Sequence, residues 1–401
     1  MQGGTKTFQK NVNLSLILRT IRLEETISRI DIARSLGLNR STITYIVSQL
    51  LEENIIRVVS EGEPAVSGGR KPVYLGLNGN YGAVLGMEIQ YNLCRAVVMS
   101  LDGKVLVKKS VPYSGTNIRL GNRCSTTYEI MEKEVRELGI PLIGAGIGLP
   151  GLIDPHGGKI IESFSLKKHD FDFAETIASQ FEIPVLIDND ANCCAWGEVV
   201  ANRGRGPDTF IYLLPKFSTE EEDPDKVEIV GIGVGTVING NVFYGNNYAA
   251  GEFRSVLWER GNKEQVAISG DKLRQIERDE TILRTFIKEV CFNLSVVISL
   301  LNPGRIYIGG DLGKHYHLVK EVISTELSDT YIGDSGNGCE IAPTDYDIYY
   351  VAVGAGNMFL EKLFDIPGLR RLHTYYTLDW DSIFKRARLQ RPTEPVRQAE
   401  Q

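Results

Sequence analysis

The 401-residue chain has six cysteines, Cys94, Cys124, Cys193, Cys194, Cys291 and Cys339, but no C-x-x-C pair among them. A chain of this size needs no covalent staples, so neither a disulfide framework nor a cysteine-rich zinc site is expected, and the thiols read as small buried hydrophobes. No run approaches the roughly 18 consecutive apolar residues of a membrane span. The opening Met1-Gln2-Gly3-Gly4-Thr5-Lys6 lacks the basic and apolar regions of a secretion signal, which predicts a cytoplasmic protein with no membrane partner. A dinucleotide fingerprint is missing too. The glycine-rich run from Gly144 to Gly151 opens no helix, because Pro150 and Gly151 break the chain first.

Hydrophobic residues at 42% and charged residues at 24% are ordinary for packed proteins, which excludes wholesale disorder. The length exceeds what one core usually fills, so at least two domains are expected. Charge divides them. Residues 1–75 hold 10 Lys and Arg against 7 Asp and Glu, whereas the remainder holds 34 against 44. A small basic head on an acidic body predicts that nucleic acid, if bound, meets the head alone.

In the head, Leu14, Ile17, Leu18 and Ile21 recur at i, i+3, i+4 and i+7, one face of an amphipathic helix. Ile30, Ile32, Ala33 and Leu36 pattern a second, short helix closed by Gly37. Asn39 is expected to cap a third helix from Arg40, with Ile43, Ile46, Val47, Leu50 and Leu51 buried. Arg40, Ser41, Thr42, Thr44 and Tyr45 face outward at its start. In a helix-turn-helix those positions meet base edges, where Arg reads guanine and Ser or Thr reaches either base. Ile55–Val59 and Val73–Leu75 read as two strands of a wing, joined through Ser67-Gly68-Gly69-Arg70-Lys71-Pro72, with Arg70 and Lys71 placed to meet phosphate or the minor groove.

The body is α/β and reads twice. Ala83–Ile89, Cys94–Ser100 and the hairpin signal Leu101-Asp102-Gly103-Lys104 begin one half, followed by a helix around Tyr128–Leu138 and the strand Leu142–Ile147. Phe210–Leu214, Glu228–Val234 and the turn Ile238-Asn239-Gly240-Asn241 repeat the order. Residues 215–227, rich in charge and proline, read as a solvated loop. Two such halves leave a crevice in which small ligands bind. The strand Ile183–Ile187 delivers Asp188-Asn189-Asp190 to its carboxyl end. There an Asn beside an Asp pairs with vicinal sugar hydroxyls, the Asp can serve as a base, or both simply cap a helix.

Taken in order, the winged helix-turn-helix, Gly68-Gly69-Arg70-Lys71-Pro72, Gly148-Leu149-Pro150-Gly151, Asn189-Asp190, Gly231-Ile232-Gly233-Val234-Gly235, Ala250-Gly251-Glu252 and Ile308-Gly309-Gly310 resemble the ROK family of repressors and sugar kinases, over about residues 10–360. The resemblance is nearest to its sugar-responsive repressors and implies an actin-like, hexokinase-like two-lobed body. It divides the chain into a head of residues 1–75 and a sensing body of 76–401, with lobe one about 80–190 plus the C-terminal helices and lobe two about 191–350. It implies sugar contacts from Gly151, Asn189, Asp190, Gly231 and Glu252, and from Glu264 across a shortened loop.

Two departures separate repressor from kinase. Kinases of the family cradle ATP phosphates with Asp-x-Gly-Gly-Thr, where this chain has Glu88-Ile89-Gln90-Tyr91-Asn92, so bulky side chains replace both glycines. Asp190 matches the family's catalytic base but lacks that cradle. The family's zinc loop after Gly-Glu has no ligand cysteine or histidine here, and Ser255 stands at the histidine position, so no metal and no cofactor is expected. The resulting expectation is a non-enzymatic, sugar-responsive repressor that senses a monosaccharide or a sugar phosphate in the interlobe cleft and binds operator DNA as a homodimer or dimer of dimers. The alternative is an ATP-dependent sugar kinase with a fused DNA-binding head.

Overall fold

The computed structural model describes residues 6–62, 71–113, 119–217, 229–327, 338–344, 347–366, 375–376 and 378–390. The head runs α1 (Lys6–Glu24), β1 (Ile27–Ser28), α2 (Arg29–Leu36), α3 (Arg40–Glu52), β2 (Ile56–Glu61) and β3 (Val73–Leu77), with its strands ordered β1-β3-β2. Ser28 caps α2 by accepting from the Asp31 amide at 3.2 Å, and Gly37 ends it at φ +62°. Helix, turn and helix therefore form as expected, and α3 buries Ile43, Ile46, Val47 and Leu50.

Some details differ. Asn39 makes no side-chain cap bond; it serves α3 only through its carbonyl, which accepts from the Ile43 amide at 3.1 Å. Ile30 is 49% exposed, because two residues from Ile32 is about 200° around a helix. Leu51 sits half-buried at the margin of the core. The wing hairpin is closed by the Gly62 amide donating to the Pro72 carbonyl at 2.8 Å, while Ser67–Arg70 lie outside the described residues.

The first body sheet is built from β4 (Ala83–Ile89), β5 (Leu93–Ser100) and β6 (Val105–Pro112), then α4 (Leu120–Leu138) and β7 (Leu142–Leu149). A small sheet of β8 (Leu152–Asp154), β9 (Lys159–Ser163) and β10 (Lys168–Asp172) follows, with α5 (Phe173–Thr176), before β11 (Val185–Asn189) and α6 (Asp190–Ala201). The second sheet is built from β12 (Phe210–Phe217), β13 (Val230–Ile238), β14 (Asn241–Val242), α7 (Gly270–Leu273), α8 (Glu280–Leu301), β15 (Arg305–Ile308), α9 (Gly310–Gly313), α10 (Tyr316–Glu326) and β16 (Glu340–Pro343). The chain returns through α11 (Tyr350–Leu363) and ends its described part in α12 (Trp380–Gln390).

Strand order is β6-β5-β4-β7-β11 in one sheet and β14-β13-β12-β15-β16 in the other. In each, three antiparallel strands lead to two parallel ones, so the duplicated two-lobed α/β body is present. Helix α4 begins at Leu120, well before Tyr128, because Leu120, Cys124, Thr127, Met131 and Val135 make its buried stripe. Pro215, Lys216 and Phe217 are not loop: they finish β12, paired with Ile232, Gly231 and Val230. By Pro215 the neighbour β15 has ended at Ile308, so that flank is an edge where proline is tolerated. Residues 218–228 lie outside the described residues.

Helices α6 and α11 pack against each other in close backbone contact. A Cβ at Gly354 would lie 1.9 Å from the Cys193 carbonyl oxygen, so only glycine permits this approach. One hydrophobic cluster joins Leu14, Ile17 and Ile21 of the head to Trp196, Phe359, Leu360, Phe364, Trp380 and Phe384 of the body. The head is thus docked by a shared core.

Candidate functional site

Strand β11 is apolar until its last two residues, which places Asp188, Asn189 and the first residue of α6, Asp190, at a strand end facing the second lobe. Asn189 Oδ1 accepts from the amides of Ala191 at 2.8 Å and Asn192 at 3.2 Å, capping α6, while its Nδ2 donates to the Gly151 carbonyl at 2.8 Å. Gly151 holds φ +105°, and a Cβ there would lie 2.3 Å from the Glu162 carbonyl oxygen, so glycine is required to turn that carbonyl toward Asn189. Gly151, Asn189 and Asp190 therefore meet at one corner.

Asp188 lies beneath that corner, fully buried. It accepts from the Asn189 amide at 2.8 Å, Asn192 Nδ2 at 3.0 Å, Trp196 Nε1 at 3.3 Å and, from lobe two, Tyr244 Oη at 2.7 Å. Burial pushes its carboxyl above the ordinary aspartate value against the pull of those donors. Tyr244 in turn meets His156 edge-on at 5.4 Å, and Tyr248 meets His156 at 5.8 Å, which builds an aromatic wall beside Asp188. Sequence reasoning passed over Asp188, Tyr244 and His156. The signal for Asp188 was present, as a carboxylate ending a buried strand.

A second omission matters more. Lys216 of β12 donates to Asp190 Oδ2 at 2.8 Å and to Glu88 Oε1 of β4 at 2.8 Å, so one ammonium ties lobe two to two carboxylates of lobe one. Glu88 is fully buried and also pairs with Arg95 at 3.2 Å and Gln90 at 2.7 Å. Burial alone would raise the Glu88 carboxyl, but Lys216 and Arg95 outweigh it and hold the group below the usual glutamate value. Burial likewise works against the charged Lys216, and Asp190 and Glu88 overcome that, so its pKa is raised. Asp190 Oδ1 accepts from the Ala191 amide at 2.9 Å. Both oxygens of the carboxylate are thus engaged, and their remaining lone pairs can still accept hydroxyl hydrogens.

The other expected sugar contacts divide. Gly233 lies beside Asp190 and forms an isolated bridge with Glu252, which brings Glu252 to this corner. Glu252 opens into the cleft, where desolvation by its walls and then the charge of Asp190 raise its carboxyl. Gly231 pairs with Lys216 across β12 and β13, with open space where a Cβ would be. Glu264, by contrast, is buried and its Oε2 accepts from the Ile229 amide at 3.0 Å. Ser255 is buried as well, its hydroxyl accepting from Asn293 Nδ2 and the Leu257 amide, both at 3.1 Å.

A cavity of about 800 Å³ opens beside Lys216, lined by residues that include Gln90, Tyr91, Pro150, Gly310, Lys314 and Tyr350. None of the expected sugar contacts lines it. Its cations are paired: Arg95 with Glu88, Lys314 with Asp311 at 2.7 Å, and Lys216 with both carboxylates. The Gln90–Tyr91 turn is held by Arg123 Nη1 on both carbonyls, at 2.8 and 2.5 Å. Among the described residues, no three His, Cys, Asp or Glu side chains cluster as a metal site, and no helix is long and apolar enough to cross a membrane.

In the head, Arg40, Ser41, Thr44 and Tyr45 are exposed on the first turns of α3 and Thr42 is half-buried. Tyr45 Oη accepts from Gln49 Nε2 at 3.0 Å. Lys71 is exposed at the base of the wing, and Arg70 lies outside the described residues.

Residues 84–263 match the ROK family, and residues 11–57 match the winged helix-turn-helix DNA-binding family. The chain is 25% identical to the xylose repressor of Bacillus spizizenii, over 91% of this chain and 99% of that protein. It is 24% identical to the DNA-binding transcriptional dual regulator NagC of Escherichia coli, over 78% and 83%. Among solved structures, a ROK family transcriptional regulator homologous to the E. coli MLC protein superposes with a TM-score of 0.68 at 17% identity, covering 89% of this chain and 97% of that one. A ROK family glucokinase from Streptomyces griseus superposes at 0.51 and 19% identity, covering 69% and 99%. Both structural likenesses establish the fold.

Proposed function

The chain carries a ROK-family domain behind a winged helix-turn-helix, and from that premise we propose that it is a sugar-responsive transcriptional repressor. Residues 1–75 bind operator DNA through Arg40, Ser41, Thr42, Thr44 and Tyr45 of α3 and through Arg70 and Lys71 of the wing. The body, residues 76–401, takes a monosaccharide at the corner of Gly151, Asn189, Asp190, Gly231 and Glu252. Two copies act together, since one helix-turn-helix covers a half-site.

The observation that carries the non-enzymatic part is the Lys216 bridge. Phosphoryl transfer needs Asp190 free to take a hydroxyl proton and room for phosphates beside it. Here an ammonium 2.8 Å away ties up the carboxylate, and Gln90 and Tyr91 stand where the family's kinases have glycines. The same charges favour an uncharged sugar. Lys216 and Arg95 are already committed to Asp190 and Glu88, and Glu252 adds a further carboxyl beside Asp190, so a phosphate would meet carboxylates whose counter-charges are taken.

Fluorescence anisotropy of the full chain on a duplex selected from a random pool tests the reading, with D-xylose first because two relatives are named xylose repressors. The sugar is expected to shift the operator midpoint at least tenfold, within the usual range of allosteric coupling. Asp190→Ala should lose on the order of 1.5–3 kcal/mol of sugar affinity and keep operator binding. Arg40→Ala should do the reverse, costing about 1–3 kcal/mol on DNA. Sugar-dependent ATP consumption that disappears in Asp190→Ala would establish a kinase instead.

A further inference from the structure

The sugar corner and the DNA-binding head are joined by one continuous block of packed structure. Helix α6 starts with Asp190 in the corner and runs about 17 Å to Ala201, after which comes Arg203. Helix α11 packs against it in close backbone approach at Gly354 and Cys193, where no side chain beyond glycine fits between them. At the far end of α11, Glu361 pairs with Arg203 and, at 2.8 Å, with Arg22 of the head helix α1. Arg22 also donates to the Leu360 carbonyl at 3.4 Å and stacks over the Phe364 ring at 4.6 Å. Its side chain is only 7% exposed.

We propose that Glu361 is the positioning residue through which the sugar corner sets the orientation of the DNA-binding head. The carboxylate is held from two sides, by the loop that ends α6 and by the helix that opens the head. A shift of α6 caused by a ligand on Asp190 reaches Arg22 through this carboxylate, alongside the apolar core that Trp196 of α6 shares with Leu14, Ile17 and Ile21 of α1. Two further ties join head and body, Arg19 of α1 on Asp365 just beyond α11 at 3.8 Å and the exposed Arg388 of α12 on Glu53 at the end of α3, so motion at Glu361 changes the tilt of α3 against the body. The inference rests on the sugar-responsive reading and adds the route by which the response travels.

The measured quantity is the coupling factor, the ratio of operator Kd with saturating D-xylose to that without it, in the full chain. Glu361→Gln is expected to bring this factor below twofold while the D-xylose Kd measured without DNA stays within threefold of wild type. Glu361→Asp should restore most of the factor, because the charge is retained. Arg203→Gln cuts only the α6 side of the triad at a more exposed residue. It should also lower the factor at least fivefold while operator affinity without sugar stays within twofold, and it decides the matter if Glu361→Gln does not fold. If both variants keep the wild-type factor, even with lower thermal stability, the triad is a structural clamp and the proposal is overturned. A wild-type chain that answers neither D-xylose nor any other sugar overturns the underlying reading and the proposal together.

Discussion

The two sheets of the body repeat one strand order, but their first strands carry opposite charges to the same place. Glu88 is the next-to-last residue of β4 and Lys216 the next-to-last residue of β12, and the two meet at 2.8 Å across the lobes. The turns that follow also differ. After β4 the chain reverses at once, with the Gln90 amide donating to the Leu93 carbonyl at 2.8 Å, whereas β12 and β13 are separated by residues 218–229. A duplicated fold places equivalent strand ends face to face across its cleft. Which residues stand there decides whether the cleft holds a phosphate or closes on itself, and an acid and a base at those two ends make the lobes each other's counter-ion.

The sharpest way to break this comparison is Lys216→Met. Glu88 has no exposed surface, and losing one partner of a buried pair costs roughly 3–5 kcal/mol. Arg95 still pairs with Glu88, so urea denaturation should show the low end, about 3 kcal/mol. Adding Glu88→Gln should recover only part of that, because the fully buried charge is removed but Asp190 is left without Lys216 and Arg95 without its carboxylate. A Lys216→Met loss under about 1 kcal/mol would mean that solvent already screens the bridge.

The pH dependence sharpens the same point. The folded-state pKa of Glu88 lies below its unfolded value, so its contribution to stability is present above the ordinary glutamate pKa of about 4.3 and is lost as pH falls through the folded value. Asp188 has the opposite sign: its raised pKa makes its contribution present below about 3.9 and lost as pH rises through the folded value. Between about pH 4.3 and the ordinary lysine value of about 10.4 the difference between wild type and the Glu88→Gln, Lys216→Met double variant should stay flat, and wild type should lose stability relative to the double variant on the acid side through Glu88 and on the alkaline side through the raised Lys216. An unchanged difference on the acid side would remove Glu88 as the titrating partner.

The parts legible in the sequence were those fixed by neighbours along the chain. Leu14, Ile17, Leu18 and Ile21 are all buried, as their spacing requires, and the two hairpin-led halves became two sheets of one order. Asn189 and Asp190 stand out in the sequence as polar residues at the end of an apolar strand, and the structure places them there, at the junction of β11 and α6. Lys216 was read as part of a charged loop, since its meaning depends on Glu88, 128 residues away in sequence. Glu264 is the converse case: a motif match across a shortened loop set it among the expected sugar contacts, and the structure places it buried, with its Oε2 accepting from the Ile229 amide.

The smallest effects compare two asparagines that the sequence presents alike, each just before a helix. Asn189 begins α6 in the body and accepts from two of its amides, besides donating to the Gly151 carbonyl. Asn39 begins α3 in the head, and its side chain makes no cap bond at all. Replacing a working cap by alanine costs about 0.5–2 kcal/mol, so Asn189→Ala should fall in the upper half of that range, because alanine also leaves the Gly151 carbonyl without its donor. Asn39→Ala removes only the residue's preference for extended backbone and should cost a few tenths of a kcal/mol. Parallel urea melts measure both. Equal losses would mean that the Asn39 side chain closes onto α3 in solution, and the head would then be capped in the same way as the body.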